Sequence, residues 1–108
     1  LSGLIEIEPA PKQISLDSAY PNPFNPTTTI SFGLAEDTEV SIQVYNIQGS
    51  LVETLANQYM EAGYHSVVWN ADQHSSGIYF VKMLTSPSTS GITGENGTVN
   101  IQKLMLIK

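Results

Sequence analysis

Tyr20-Pro21-Asn22-Pro23-Phe24-Asn25-Pro26 runs directly into Thr27-Thr28-Thr29-Ile30-Ser31-Phe32. Each of the three prolines holds its own φ near about −65° and removes a backbone donor. Each also turns the residue before it, Tyr20, Asn22 or Asn25, toward extended geometry. The stretch therefore reads as stiff and extended, excluded from a helix and from any central strand. Tyr20 and Phe24 are expected to turn their rings inward and plug one end of a core. Asn22 and Asn25 are expected to bond local backbone that the prolines leave unpaired. Beyond Pro26 the chain alternates, with Ile30, Phe32 and Leu34 on one parity, and this predicts the first full strand.

Further strands follow downstream. Val40, Ile42 and Val44 alternate with Ser41, Gln43 and Tyr45 as a second strand. Asn46-Ile47-Gln48-Gly49 reads as a turn with Gly49 at positive φ. Ser50 to Leu55 leaves it as a third strand, bulged at Leu51-Val52. Ala56 to Glu61 is expected to hold a short helical turn, broken by Ala62-Gly63. Tyr64 to Trp69 places His65, Val67 and Trp69 on one core-facing side. After the polar loop Asn70 to Ser76, Gly77 restarts the chain. In Ile78 to Leu84, Tyr79, Val81 and Met83 share the inner face, and Lys82 marks the face of Ile78 and Phe80 as the wetter one. Thr85 to Asn100 is a long Ser-, Thr- and Gly-rich connection with the hairpin signal Asn96-Gly97 and an expected mobile tip. Ile101 to Ile107 is the last strand.

Upstream, Ile14-Ser15-Leu16 predicts a short strand. Residues 1–13, with Pro9-Ala10-Pro11, read as a linker, although Leu4 to Ile7 has the makings of a short edge strand. The organisation is thus a linker over 1–13 and one domain over 14–108. About seven strands at turn spacings of roughly 8–12 residues, without helical crossovers, predict an all-β fold. Its class is an antiparallel immunoglobulin-like β-sandwich.

Composition excludes several functions. The 108 residues suit one domain with its own core. There is no cysteine, so disulfides and thiolate metal sites are excluded. Four lysines, no arginine and ten acidic residues give a net charge of −6. Nucleic acid is therefore excluded as a partner, because no basic face can be built to neutralise phosphates. Anionic membrane surfaces are disfavoured on the same ground, and no apolar run is long enough to span a bilayer. The opening Leu1-Ser2-Gly3 lacks an initiator Met and a leader pattern, and reads as a piece of something larger.

Each chemistry-bearing residue has a structural reading beside its functional one. Lys103 and Lys108 bracket the apolar run that contains Leu104 and Leu106. That is an edge strand guarded by lysines, or a strand presented for strand addition. Gly49 and Gly77 serve backbone geometry. Trp69 is core, unless it joins Tyr45, Tyr59 and Tyr64 as a sugar-stacking platform. His65 belongs at the rim of its face, and His74 belongs in a solvated loop. Their spacing is not that of metal ligands. Asp72 beside His74 lacks any nucleophile-elbow sequence, so no catalytic residues are assigned. Asp17, Glu36, Asp37 and Glu39 are oxygen donors without the alternating spacing of a calcium loop. Asn96-Gly97-Thr98 fits a glycosylation acceptor, but a hairpin turn explains it better. No metal and no cofactor is expected.

Several of these pieces, in order, resemble one family. They are Tyr20 to Pro26, Val40 to Gly49 with Leu51-Val52, Ala62-Gly63 with Trp69-Asn70, Ser76-Gly77-Ile78-Tyr79 with Val81, and Lys103 to Lys108. Together, over roughly residues 14–108, they resemble the C-terminal sorting domains of the bacterial type IX secretion system. The sandwich is also similar to the immunoglobulin-like domain of the flagellar hook-capping protein. Ser50, where the family usually has a basic residue, and the long Thr85 to Asn100 connection depart from the pattern. The resemblance implies a non-catalytic signal, of the kind found in Bacteroidota, that carries an upstream cargo through the periplasm to the cell surface or the medium. It implies as partners an outer-membrane translocon and, as in the many members that are processed, a sortase-like peptidase that removes the domain; in other members the cargo is released. Where processing occurs, the segment before Ile14 is within a peptidase's reach, and a cut is expected within or upstream of residues 1–13. On this reading Lys103, Leu104, Leu106 and Lys108 form the recognition strand, and Gly49 and Gly77 set the display geometry. Pro21, Asn22, Pro23, Phe24, Asn25 and Pro26 fix how the domain leaves its linker. Two other classes remain open. One is an accessory carbohydrate- or protein-binding module of a secreted enzyme. The other is a self-associating assembly domain like that of the hook-capping protein.

Overall fold

Alternation decides the strands. The computed structural model describes residues 11–87 and 97–108, and within them the sequence forms seven strands in two antiparallel sheets. β1 (Ser15–Leu16), β2 (Thr27–Leu34) and β5 (Gly63–Asn70) make a sheet of order β1-β2-β5. β3 (Thr38–Asn46), β4 (Leu51–Met60), β6 (Gly77–Pro87) and β7 (Thr98–Leu106) make the other, of order β4-β3-β6-β7. The Asn96-Gly97 turn signal and the tip of the long connection lie, wholly or in part, outside the described residues, as do Leu4 to Ile7.

The core lies between the sheets. Ile30, Phe32 and Leu34 of β2 and Trp69 of β5 face Val40, Ile42 and Val44 of β3, Val81 and Met83 of β6, and Leu104 and Leu106 of β7, all essentially buried. Each such side chain contributes about 1.5–3 kcal/mol by leaving water. The faces of β6 fall as its alternation predicts, with Tyr79, Val81 and Met83 inside and Lys82 outside.

Two turns show why particular residues stand where they do. Gly49 has φ of 86°, a region that side chains with a Cβ rarely adopt. Its N–H donates to the Asn46 carbonyl at 2.9 Å. The Asn46 Oδ1 accepts the N–H groups of Gln48 and Ser50 at 2.9 and 3.0 Å, which closes the β3–β4 turn. Gly33 meets a different demand, since a Cβ there would lie 2.9 Å from Pro11 Cγ. Pro11 is thus seated against β2.

The expected helical turn over Ala56 to Glu61 is not there, because β4 runs unbroken to Met60. The β3–β4 register shifts between Val44 and Tyr45 and again between Ile42 and Gln43. The first shift places an extra residue at Val52, as the sequence predicts. The second places one at Leu55, which breaks the period-two pattern and imitates a strand end. Both extra residues turn inward and pack against the core.

Candidate recognition site

The proline stretch is a seam between the two sheets. The peptide bonds before Pro21, Pro23 and Pro26 are cis. Tyr20 pairs with Thr29 of β2, and four residues later Phe24 pairs in parallel with Leu106 of β7. Thr28, buried on β2, donates its hydroxyl to the Pro21 carbonyl at 2.7 Å and steadies the crossing.

Along β7 the seam follows one edge. Asn22 Nδ2 donates to the Lys103 carbonyl at 3.0 Å, and the Met105 N–H donates to Asn22 Oδ1 at 3.0 Å. The Phe24 N–H then donates to the Met105 carbonyl, and the Ile107 N–H donates to the Phe24 carbonyl, both at 2.9 Å. Gln102 reaches the other way: its Oε1 accepts the Ala19 N–H at 2.6 Å and its Nε2 donates to the Asp17 carbonyl at 2.8 Å. These six bonds, four through side chains and two through the backbone, all join residues 81 to 85 positions apart. The four from Asn22 and Phe24 give the outward-facing backbone of the last strand partners that an edge strand otherwise lacks, and the two from Gln102 tie its side chain to the backbone of Asp17 and Ala19.

Two expectations for the stretch therefore change. Asn22 bonds the distant last strand rather than local backbone. Tyr20 does not plug the core, since it is 80% exposed while Phe24 is 2% exposed. Tyr20 pairs with Thr29 through its backbone while its ring stays in solvent, and only the Phe24 ring enters the core.

Phe24 ends in an aromatic cluster that closes this end of the sandwich. Its ring lies 5.5 Å from Trp69, which lies 5.2 Å from Tyr79 and 5.6 Å from His74. Trp69 is fully buried, and its indole N–H donates to Glu53 Oε1 of β4 at 2.9 Å. The same carboxylate oxygen lies 3.5 Å from His74 Nε2. His74 is thus a half-buried member of the cluster rather than a solvated loop residue. Its acidic neighbour is Glu53 and not Asp72, because the bulge at Val52 turns Glu53 inward. His65 sits at the rim as expected, stacked on Phe32.

The proposed recognition residues separate into two groups. Leu104 and Leu106 are buried core. Lys103 projects from the exposed outer face of β7. Lys108 folds back over the loop after β5: its Nζ donates to the Asp72 and His74 carbonyls at 2.7 and 2.9 Å, and its N–H donates to Ser76 Oγ at 2.9 Å. The lysines therefore present different surfaces. Gly49 and Gly77 both have positive φ, and Gly77 opens β6 opposite Leu106.

The sugar-platform set does not assemble. Trp69 is buried, Tyr45 and Tyr59 lie on the outer face of the four-stranded sheet, and Tyr64 lies on the other sheet. Asp17 lies apart from the β2–β3 turn, where Asp37 Oδ1 accepts the Ala62 N–H at 2.9 Å. Among the described residues no three His, Asp or Glu side chains converge as a metal site. No helix there is long and apolar enough to cross a membrane. Sequence reasoning missed Gln102, Glu53 and the reach of Asn22. Their one local signal was a polar residue at an inward or proline-flanked position.

Fold and seam define a small β-sandwich module that displays a fastened last strand. The chain matches the model of the secretion system C-terminal sorting domain over residues 18–91 and belongs to that family. It is a type IX sorting domain, a signal that directs a cargo protein out of the cell to its surface or the medium. Domains of this family are in general non-catalytic. In fold the chain is similar to the crystal structure of dimeric latent PorU from Porphyromonas gingivalis, with a TM-score of 0.65 at 15% identity. That likeness covers 94% of this chain and 10% of that one, so the chain spans about a tenth of the PorU length. No curated protein matches the chain in sequence.

Proposed function

We propose that the address is the folded last strand together with the seam that fastens it. An outer-membrane translocon reads the segment Lys103 to Lys108 after the cargo has reached the periplasm. Leu104 and Leu106 act by anchoring the strand in the core, and Lys103 and Lys108 supply the exposed chemistry. Gly49 and Gly77 hold the turns that frame the sheet. Pro21 to Pro26 fix the direction in which the chain leaves toward its cargo. A sortase-like peptidase cuts within or upstream of residues 1–13, and the domain itself carries no catalysis.

The observation that carries this reading is the hydrogen-bonded fastening of β7 by Asn22, Phe24 and Gln102. It makes the last strand part of the fold, so that a complete domain and a presented strand arise together. The test is a fluorescent reporter fused ahead of residues 1–108 in a host with an active type IX system, beside a fusion lacking residues 103–108. Export of the first and retention of the second, with the folded state of each fusion followed by protease resistance, supports the reading. Equal export of both contradicts it.

A further inference from the structure

In a two-layer sandwich each strand is expected to be apolar inside and polar outside. β6 and β7 break that rule on the outer face of their sheet. Val99, Ile101 and Met105 of β7 are exposed there, with Ile101 at 62%. The register sets Met105 beside Ile78, Lys103 beside Phe80, Ile101 beside Lys82, and Val99 beside Leu84. Strands that are apolar on both sides are characteristic of sheets covered on both faces. Contiguous exposed apolar surface of this kind marks an interaction site.

The face has a hollow and a charge. The hollow, about 470 Å³ and open to solvent, is lined by Tyr45, Ile47, Gly49, Phe80 and Ile101 among others. Lys82 stands at its side, its Nζ 5.6 Å from the centre of the Tyr45 ring. Of the outward side chains of β3, β6 and β7, Lys82 and Lys103 are cationic. Glu39, paired with Ser86 at the far end, is the sole carboxylate among the described residues of those strands. Within a chain of net charge −6, half of the four lysines flank this hollow, and neither forms an ion pair among the described residues.

We infer that this face binds an extended acidic and apolar segment of a partner protein, with its carboxylates on Lys82 and Lys103 and an apolar side chain in the hollow. Charge selects this occupant. A second copy docked about a two-fold axis would set the same lysines against one another. An anionic bilayer would meet the repulsion of the whole acidic chain. A single peptide segment meets chiefly the local field of the two lysines. The inference is independent of the export reading, because it concerns binding by the purified chain.

The test is an NMR titration of the isotopically labelled 108-residue chain with a synthetic peptide alternating glutamate with phenylalanine and isoleucine. Saturable shifts centred on Phe80, Lys82 and Ile101 are expected, with no comparable shifts from the peptide carrying lysine for glutamate. Lys82→Glu combined with Lys103→Glu is expected to weaken binding about tenfold or more. Ile101→Ser, at an exposed position, is expected to weaken it while leaving the Trp69 emission of the folded chain unchanged. Equal binding of both peptides, shifts centred elsewhere, or no shift at millimolar peptide overturns the inference. So does perturbation of the same residues by phosphatidylglycerol vesicles but not by the peptide, or by raising the concentration of the chain alone.

Discussion

Asn22 and Met105 stand 83 positions apart in sequence, and the Met105 N–H donates to Asn22 Oδ1 at 3.0 Å. The same amide donates from Nδ2 to the Lys103 carbonyl at 3.0 Å. One side chain thereby offers an acceptor and a donor at the spacing of a neighbouring strand. It extends the sheet without adding a strand, and Phe24 continues the pairing through its backbone. The end of the sandwich that carries Trp69, Tyr79 and Lys108 is organised around this contact.

Asn22→Ala removes both bonds and leaves the outward groups of β7 to water. The expected cost is about 1–2 kcal/mol of stability. Urea denaturation of the purified chain measures it. Hydrogen exchange adds a local readout: the Met105 amide loses protection in the variant, while the amides of β3, in the middle of the same sheet, are slowed or hastened only by the change in global stability.

Leu104→Ala empties a fully buried position and is expected to cost about 2–5 kcal/mol. Leu104→Met keeps most of the volume and is expected to cost less than about 1.5 kcal/mol. Export of a fused reporter should follow this order of stability. Loss of export in a stable Leu104→Met domain would instead mean that the leucine side chain itself is read.

Glu53 accepts the indole N–H of the chain's one tryptophan. Glu53→Ala leaves that donor buried without its partner, at an expected cost of about 1–3 kcal/mol. Glu53→Gln keeps an acceptor oxygen and is expected to recover most of the loss. Thermal unfolding followed by tryptophan emission reports both variants.

Gly49→Ala introduces a Cβ at φ of 86° with open space around it. The cost is conformational rather than a clash, and is expected to be about 1–2 kcal/mol. Chemical denaturation should show the loss, with cross-strand contacts between Tyr45 and Leu51 retained in the NMR spectrum.

Much of the fold is legible because most strands bury one face, and a buried face writes itself as period two. Ile30 to Leu34, Val40 to Val44 and Tyr79 to Met83 are examples. β4 is the exception, since extra residues at Val52 and Leu55 shift the parity twice and hide one strand as a strand and a helical turn. The prolines are legible locally as excluded from a helix and from any central strand. Local reasoning had no means of finding that Asn22 bonds Lys103 and Met105, because nothing nearby in the chain registers a partner more than eighty residues away. It also grouped Lys103 with Leu104 and Leu106, where pleating divides exposed from buried side chains. The inward turn of Glu53 beneath Trp69 was hidden by the same bulge.

The most direct test of the address is the double substitution Lys103→Gln with Lys108→Gln in the reporter fusion, with folding confirmed on the purified domain. Both replacements keep a long polar side chain, and the buried leucines and the Asn22 bonds are left intact. A folded domain whose cargo stays in the periplasm is the expected result. Export of that folded double variant at the level of the unaltered fusion would contradict it.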